Sequence, residues 1–431
     1  MYRKKVLFVF WFVLVGGLLL VIWTKPPVFG WEKEEFRLSP YPFGRTIALS
    51  FVDDTDYAVG PDIEPVYDLL DRLGFRTTKT VWMFDATRTS SFVQRGEREE
   101  RSEDWGVSLE NSEYLRFIKG LSSKGFEIAL HGVSAGNDHR IDILRGYEKF
   151  RSIFGRYPKI ETLHERNIEN LYSGYHKLDL FALRIAEKLI YGSDYQGHVE
   201  GSEYFWGDIC QKYVTYVRLP FHEIKEINLL NLIPGLIFHD PKRPYVKYWF
   251  PNADGADLRG FLNLTSKENL RKLVEQRGTC LIYTHFAKQF TRKRGEVYVL
   301  DDRFVERMGE ISKLDGWFVT ASEILDRFRM MKHVKLVPIK GGVCVVNTGS
   351  EEIKGVTILY RPLATLYDGF GNRCKTNSEG ELVIDTVEGN SAFSYYVSNN
   401  AADGEVETFS ISTWERMRVE IRNYLGAFLG M

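Results

Sequence analysis

The chain is short of cysteine and of net charge, and each shortage closes off a class of function. Its four cysteines, Cys210, Cys280, Cys344 and Cys374, stand far apart with no C-x-x-C spacing, so neither a zinc knuckle nor a dithiol redox motif is present. Cys344 and Cys374 are candidates to pair if the C-terminal region lies outside the cytoplasm, a point the sequence leaves open. Lys plus Arg number 57 against 58 Asp plus Glu, so there is no electrostatic footprint for nucleic acid. Any partner has to be argued from a site. What is plentiful is apolar and aromatic surface: 44% of residues are hydrophobic, with 23 Tyr, 29 Phe and 9 Trp. That composition suits large cores first and sugar-stacking surfaces second. At 431 residues the chain has room for two or three domains.

One long apolar run stands at the N-terminus. Val6 to Trp23 is uncharged over 18 residues and follows Arg3, Lys4 and Lys5, which is just enough to cross a bilayer as a helix. The basic flank belongs in the cytoplasm, so everything after Lys25 is expected outside. A cleavable signal peptide is the competing reading, but its apolar core would be unusually long and no small-x-small pattern follows Trp23. The expectation is a single-pass membrane protein with an uncleaved signal anchor (residues 1–25) and a linker (26–44). After these come an α/β unit (45–330), a small β-sandwich (334–400) and an amphipathic C-terminal helix (409–431).

The α/β unit is organised around Arg45 to Asp56, RTIALSFVDDTD. Ile47, Ala48, Leu49, Phe51 and Val52 make the short apolar run that a parallel strand covered on both faces requires. Asp53, Asp54 and Asp56 follow at once. Acids so close repel and are costly to desolvate, so the strand end calls for a cation, a helix N-terminus or open water. A solvated acidic turn is the plainer alternative. Further on, strands alternate with helices: a helix over Pro61 to Leu73, a strand within Phe75 to Phe84, a long polar loop, and a helix over Ser112 to Lys124. The strand FEIAL (126–130) then runs directly into His131. The next loop carries Asn137, Asp138 and His139, and Lys159 to Leu163 leads into His164, Glu165, Arg166 and Asn167. A helix is predicted over Asn263 to Glu275, and TCLIY (279–283) is followed by Thr284 and His285. Four strand ends therefore carry acids or imidazoles, where barrels and doubly wound sheets assemble their sites. The segment PYVKYWFPNADGAD, with Trp249, Asp254 and Asp257, reads as a rim loop for a sugar or as a structural aromatic cluster.

The order of these strand ends resembles the polysaccharide deacetylases of the NodB-homology type (carbohydrate esterase family 4). The resemblance covers about residues 45–329 and implies a distorted (β/α) barrel. In that family an apolar strand ending T-F-D-D supplies a catalytic base and then a metal ligand, which points to Asp53 as base and Asp54 as ligand. Here SFVDD inserts Val52, which leaves Asp56 in reserve. The family's H-[S/T]-x-x-H motif gives two imidazole ligands. His131 matches the first, but position 135 is Ala, so the second ligand is expected from His139 on the same loop, with His164 as the alternative. HERN loosely echoes the family's R-x-P-Y, implicating Arg166, and LIYTHF matches the motif carrying the general acid, His285. His164, Trp249 and Asp254 are the expected substrate contacts.

A divalent ion held by one carboxylate and two imidazoles, zinc as first choice, would supply an activated water and a polarised carbonyl. Asp53 would accept a proton from water and His285 would deliver one to the departing amine. The implied enzyme is a membrane-anchored, extracytoplasmic hydrolase removing N-acetyl or O-acetyl groups from an envelope or exported polysaccharide. Three other readings stand beside it. One is a catalytically inactive glycan binder working with polysaccharide-assembly proteins, another a metal-independent glycoside hydrolase, and the third a structural envelope protein.

Overall fold

In chain order the first strand is β1, Glu35–Ser39, and the second, β2, is Ile47–Asp53. Every residue of β2 is buried, because it lies between parallel neighbours in a sheet covered on both faces. The computed structural model describes residues 35–397, apart from 89–105, 165, 191–193, 221–223, 362–363 and 378. The predicted signal anchor and C-terminal amphipathic helix lie outside the described residues. Among the described residues no helix is long and apolar enough to cross a membrane.

The strands that follow are β3 Thr78–Val81, β4 Glu127–Leu130, β5 Ile160–Glu161, β6 Tyr216–Arg218, β7 Tyr248–Phe250, β8 Ala253–Asp254 and β9 Thr279–Thr284. They form one parallel sheet in the order β7-β6-β5-β4-β3-β2-β9-β8. After a hairpin, β10 Thr291–Arg294 with β11 Val297–Leu300, the short β12 (Gly316–Trp317) pairs with the start of β2. The outermost strands β7 and β8 are separated in sequence only by Pro251 and Asn252. Three residue steps span at most about 11 Å, so the sheet has to curl until its edges meet. The result is a (β/α) barrel in which all the C-terminal strand ends share one mouth.

Local chemistry sets the helix ends. Asn111 accepts bonds from the Glu113 and Tyr114 amides at the start of Ser112–Ser123, and Thr320 with Glu323 forms a capping box for Ala321–Met331. The single helix expected over 263–275 is two, Leu258–Leu264 and Lys267–Glu275, each with its own N-cap, Asp257 and Ser266. Thr265 lies between them and turns its hydroxyl back onto the Phe261 carbonyl at 2.7 Å. Phe238 forms a single isolated bridge with Trp249.

Beyond the barrel come β13 Val334–Ile339, β14 Gly342–Asn347, β15 Ile353–Arg361, β16 Tyr367–Asp368, β17 Leu382–Val387 and β18 Ser391–Tyr396. They make two antiparallel sheets, β13-β14-β18-β16 and β1-β15-β17, around a core that includes Val345, Val356, Ile358, Leu366 and Val387. Residues 35–39 are thus not linker. They form β1, paired with β15 from Glu35↔Arg361 to Ser39↔Thr357, with Phe36 stacked on Tyr360. Two alternating apolar residues, Phe36 and Leu38, were too short a pattern to reveal it. The four cysteines are free thiols.

One arginine joins barrel and β-unit. Arg327, buried on the last barrel helix, donates to the carbonyls of Pro40 (3.2 Å), Lys354 (2.6 Å) and Gly355 (3.2 Å). Burial pushes its guanidinium down to about 10. Arg327→Ala strips three carbonyls of their donor and is expected to cost about 3 kcal/mol, read as a lower urea midpoint. A midpoint equal to that of the parent chain would show that these bonds add nothing.

Candidate active site

The three acids at the end of β2 point in different directions because the chain stays extended through Asp54, whose amide still donates to Thr284 O at 2.9 Å. Side chains alternate along such a strand. Asp53 therefore faces one way, and Asp54 with Asp56 faces the other.

Asp53 is enclosed. It accepts Lys79 Nζ at 2.9 Å, with both side chains fully buried, the Tyr67 hydroxyl at 2.8 Å and the Phe286 amide at 2.8 Å. Burial alone would lower the Lys79 pKa, but the Asp53 carboxylate outweighs it and raises it. With every approach filled, Asp53 has no route to a water or a substrate. The role of base expected for it is not supported by this geometry.

Asp54 is gripped end-on by Arg218 from β6, at 2.9 Å (Nη1 to Oδ1) and 2.6 Å (Nη2 to Oδ2). Burial pushes the carboxyl up, but Arg218 and then His131 outweigh it and hold Asp54 below its ordinary value. Each oxygen takes one N–H of Arg218 and keeps a second lone pair, so Asp54 is a fixed, ionised carboxylate, and with Asp56 and His285 it belongs to a group that could hold an ion. An arginine at the site is Arg218; Arg166 lies in a turn beyond His164 with φ +74°.

Asp56 is the point of convergence. Its carboxylate lies 2.9 Å from His164 Nε2, 3.2 Å from His131 Nε2 and 3.1 Å from His285 Nε2. Burial acts to raise its pKa, and His131 and His164 hold it well below the carboxylate range. Each imidazole is oriented from behind. His131 Nδ1 is 2.8 Å from Thr162 O, His285 Nδ1 is 2.8 Å from Ala256 O, and His164 Nδ1 is 3.2 Å from Asn167 Oδ1. Asn167 Nδ2 donates to Gly136 O and Glu169, which leaves its oxygen facing His164. Nδ1 of each ring thus meets an oxygen behind it and Nε2 faces Asp56, as metal-binding histidines are arranged.

The donor set fits a divalent ion. Ligand atoms of Asp56, His131 and His164 lie within 4.8 Å of one another, as do those of Asp54, Asp56 and His285, and one carboxylate with two imidazoles is a composition zinc accepts. The second imidazole is His164, not His139. His139 precedes helix Arg140–Phe154, packs edge-on against Tyr204 and lies 3.7 Å from Glu203. His164, expected as a substrate contact and as the alternative second imidazole, lies in the group that could hold an ion.

The remaining expected contacts are structural. Trp249 is buried on β7 against Tyr172, so it offers no face to a sugar. Asp254 pairs with Lys225 and accepts the Ala256 amide at 3.1 Å; it shapes the turn whose carbonyl holds His285. Arg218, Lys79 and Thr162 escaped the sequence reading. The available signal was a lone cation inside each of two short strands, YVR and TKTV, since buried charges need a partner.

No protein-family profile matches the chain, and no curated protein does. Among solved structures it is similar to a polysaccharide deacetylase from Mycobacterium smegmatis, with 13% identity over 68% of this chain and 93% of that one at TM-score 0.38. Another from Pseudomonas aeruginosa PAO1 gives 12% over 68% and 94% at 0.39, and the allantoinase PuuE gives 14% over 68% and 93% at 0.35. At such identities and scores the roles of residues rest on this chain's own geometry.

Two expectations follow. Asp56→Ala, His131→Ala and His164→Ala are each expected to lower zinc affinity at least tenfold by competition with a chromophoric chelator, while His139→Ala leaves it unchanged. Equal loss in His139→Ala would overturn the assignment. Lys79→Met, which strands a buried carboxylate, is expected to cost about 3–5 kcal/mol in denaturant unfolding.

Proposed function

We propose that the chain is a metal-dependent amide hydrolase that removes acetyl groups from N-acetylated sugars of an envelope or exported polysaccharide. The observation that carries this reading is the convergence of three back-braced imidazoles on Asp56, beside an arginine-held Asp54, at the mouth of a parallel barrel. The sugar substrate rests on the resemblance of SFVDD, His131 and LIYTHF to the deacetylases. Anchoring through residues 6–23, with the barrel outside the cytoplasm, is part of the same proposal, and zinc is the proposed ion.

Asp56, His131 and His164 hold the ion, which when bound supplies Lewis acidity toward water and an amide carbonyl. Asp54, kept ionised and immobile by Arg218, accepts the proton that water loses as it attacks the carbonyl carbon. His285, with Nδ1 bound to Ala256 O, presents Nε2 to the reacting point and gives its proton to the departing nitrogen as the C–N bond breaks. Acetate and a free amino sugar result.

A glycoside hydrolase would need one carboxylic acid held protonated by a raised pKa. Asp54 and Asp56, the two carboxylates facing the imidazoles, are both lowered, so neither of them is that acid. With zinc-loaded protein and chitohexaose, Asp54→Asn and His285→Ala are each expected to lower acetate release about a thousandfold, and Asp54→Asn to retain zinc. Absence of acetate from the parent chain on any N-acetylated glycan, with zinc bound, would sink the proposal.

A further inference from the structure

Two residues at the mouth are used by nothing described so far. Tyr57 follows Asp56 directly and leaves 42% of its surface exposed. Its backbone sits at φ +65°, a left-handed conformation that a bulky residue adopts only under constraint. Over the Tyr57 ring lies the Lys288 ammonium, 4.8 Å from the ring centroid. Lys288 Nζ is also 3.3 Å from His285 Nε2, so this cation stands at the point where the substrate's scissile group is to be placed.

Among the described residues no carboxylate pairs with the Lys288 ammonium. The nearby acids are already committed, Asp53 to Lys79, Asp54 to Arg218 and Asp56 to the imidazoles. An ammonium over an aromatic ring gains from the ring's negative face, yet its charge remains available to an incoming anion. Resting on the sugar-substrate reading, we infer that Tyr57 and Lys288 form a subsite for an acidic sugar. The ring stacks on a sugar face, and the ammonium pairs with a carboxylate or similar anionic substituent on the residue bearing, or next to, the N-acetyl group. The substrate class is thereby an anionic N-acetylated polysaccharide in preference to a neutral one. Lys288 acts as a specificity residue with no part in the proton transfers.

Chitohexaose and the hyaluronan hexasaccharide provide the test, since both carry N-acetylglucosamine and only the second carries carboxylates. Using the zinc-loaded full chain, calorimetric binding and acetate release are measured on both. The expected result is tighter binding and higher kcat/KM for the anionic hexamer by about tenfold, fading with added salt. Lys288→Ala is expected to abolish the preference, bringing the two hexamers to equal Kd and equal kcat/KM. Lys288→Arg retains the preference, and Tyr57→Ala weakens both hexamers. Equal binding of the two hexamers by the parent chain, or a preference that survives in Lys288→Ala, overturns the inference. Binding preference without acetate release would leave the subsite standing and remove the hydrolase reading instead, so the two failures are distinct.

Discussion

Lys79 and Asp53, an ion pair with no exposed surface, set the geometry of everything at the barrel mouth. Isolated, either charge would be expensive to bury; together, with Tyr67 and the Phe286 amide completing the carboxylate's shell, they are satisfied only in one arrangement. That arrangement ties β2 to β3 through Lys79 and to β9 through Phe286. The immediate chain neighbours of Asp53 and Phe286 are Asp54, just past the end of β2, and His285, just past the end of β9. A fully buried carboxylate thereby positions Asp54 and His285, which with Asp56 bring their donor atoms together.

The same logic extends outward in layers. Asp54 faces opposite Asp53 and takes up Arg218, whose guanidinium also lies over the Tyr283 ring at 4.6 Å. Asp56, again on that side, draws in three imidazoles. Each of these is fixed by an acceptor behind it, two backbone carbonyls and one asparagine oxygen, so the rings cannot rotate without losing a bond. Negative charge is distributed so that every buried acid has its own cation or set of donors. A charge-dense mouth is tolerable inside a protein on that condition alone.

The β-unit contributes at the other end of the molecule. Its sheet takes in β1, so the chain entering from the N-terminus is captured before the barrel begins. The Tyr41 hydroxyl donates to Arg277 O at 2.7 Å, and Arg277 in turn meets Glu381 at 2.8 Å. With Arg327 spanning Pro40, Lys354 and Gly355, the segment ahead of β2 is held between both units. The start of β2 is thus as firmly placed as its end.

Much of this was written locally. The apolar run ending in acids, the His that follows FEIAL and the His that follows LIYT are consequences of strand pattern and succession, and they placed Asp53, Asp54, His131 and His285 at strand ends. The assignment of roles was not local. Alternation along β2 separates Asp53 from Asp54 and Asp56, but which face is the mouth depends on the order in which distant strands pair. His139 was nearer to His131 in sequence than His164 was, yet β5 lies beside β4 in the sheet and brings His164 to Asp56. Arg218 reaches Asp54 from 164 positions away. Sequence by itself determined which segments are buried strands and that ionisable groups end them. The tertiary structure alone decided which of those groups meet, because a buried charge settles against whichever partner the curled sheet delivers to it.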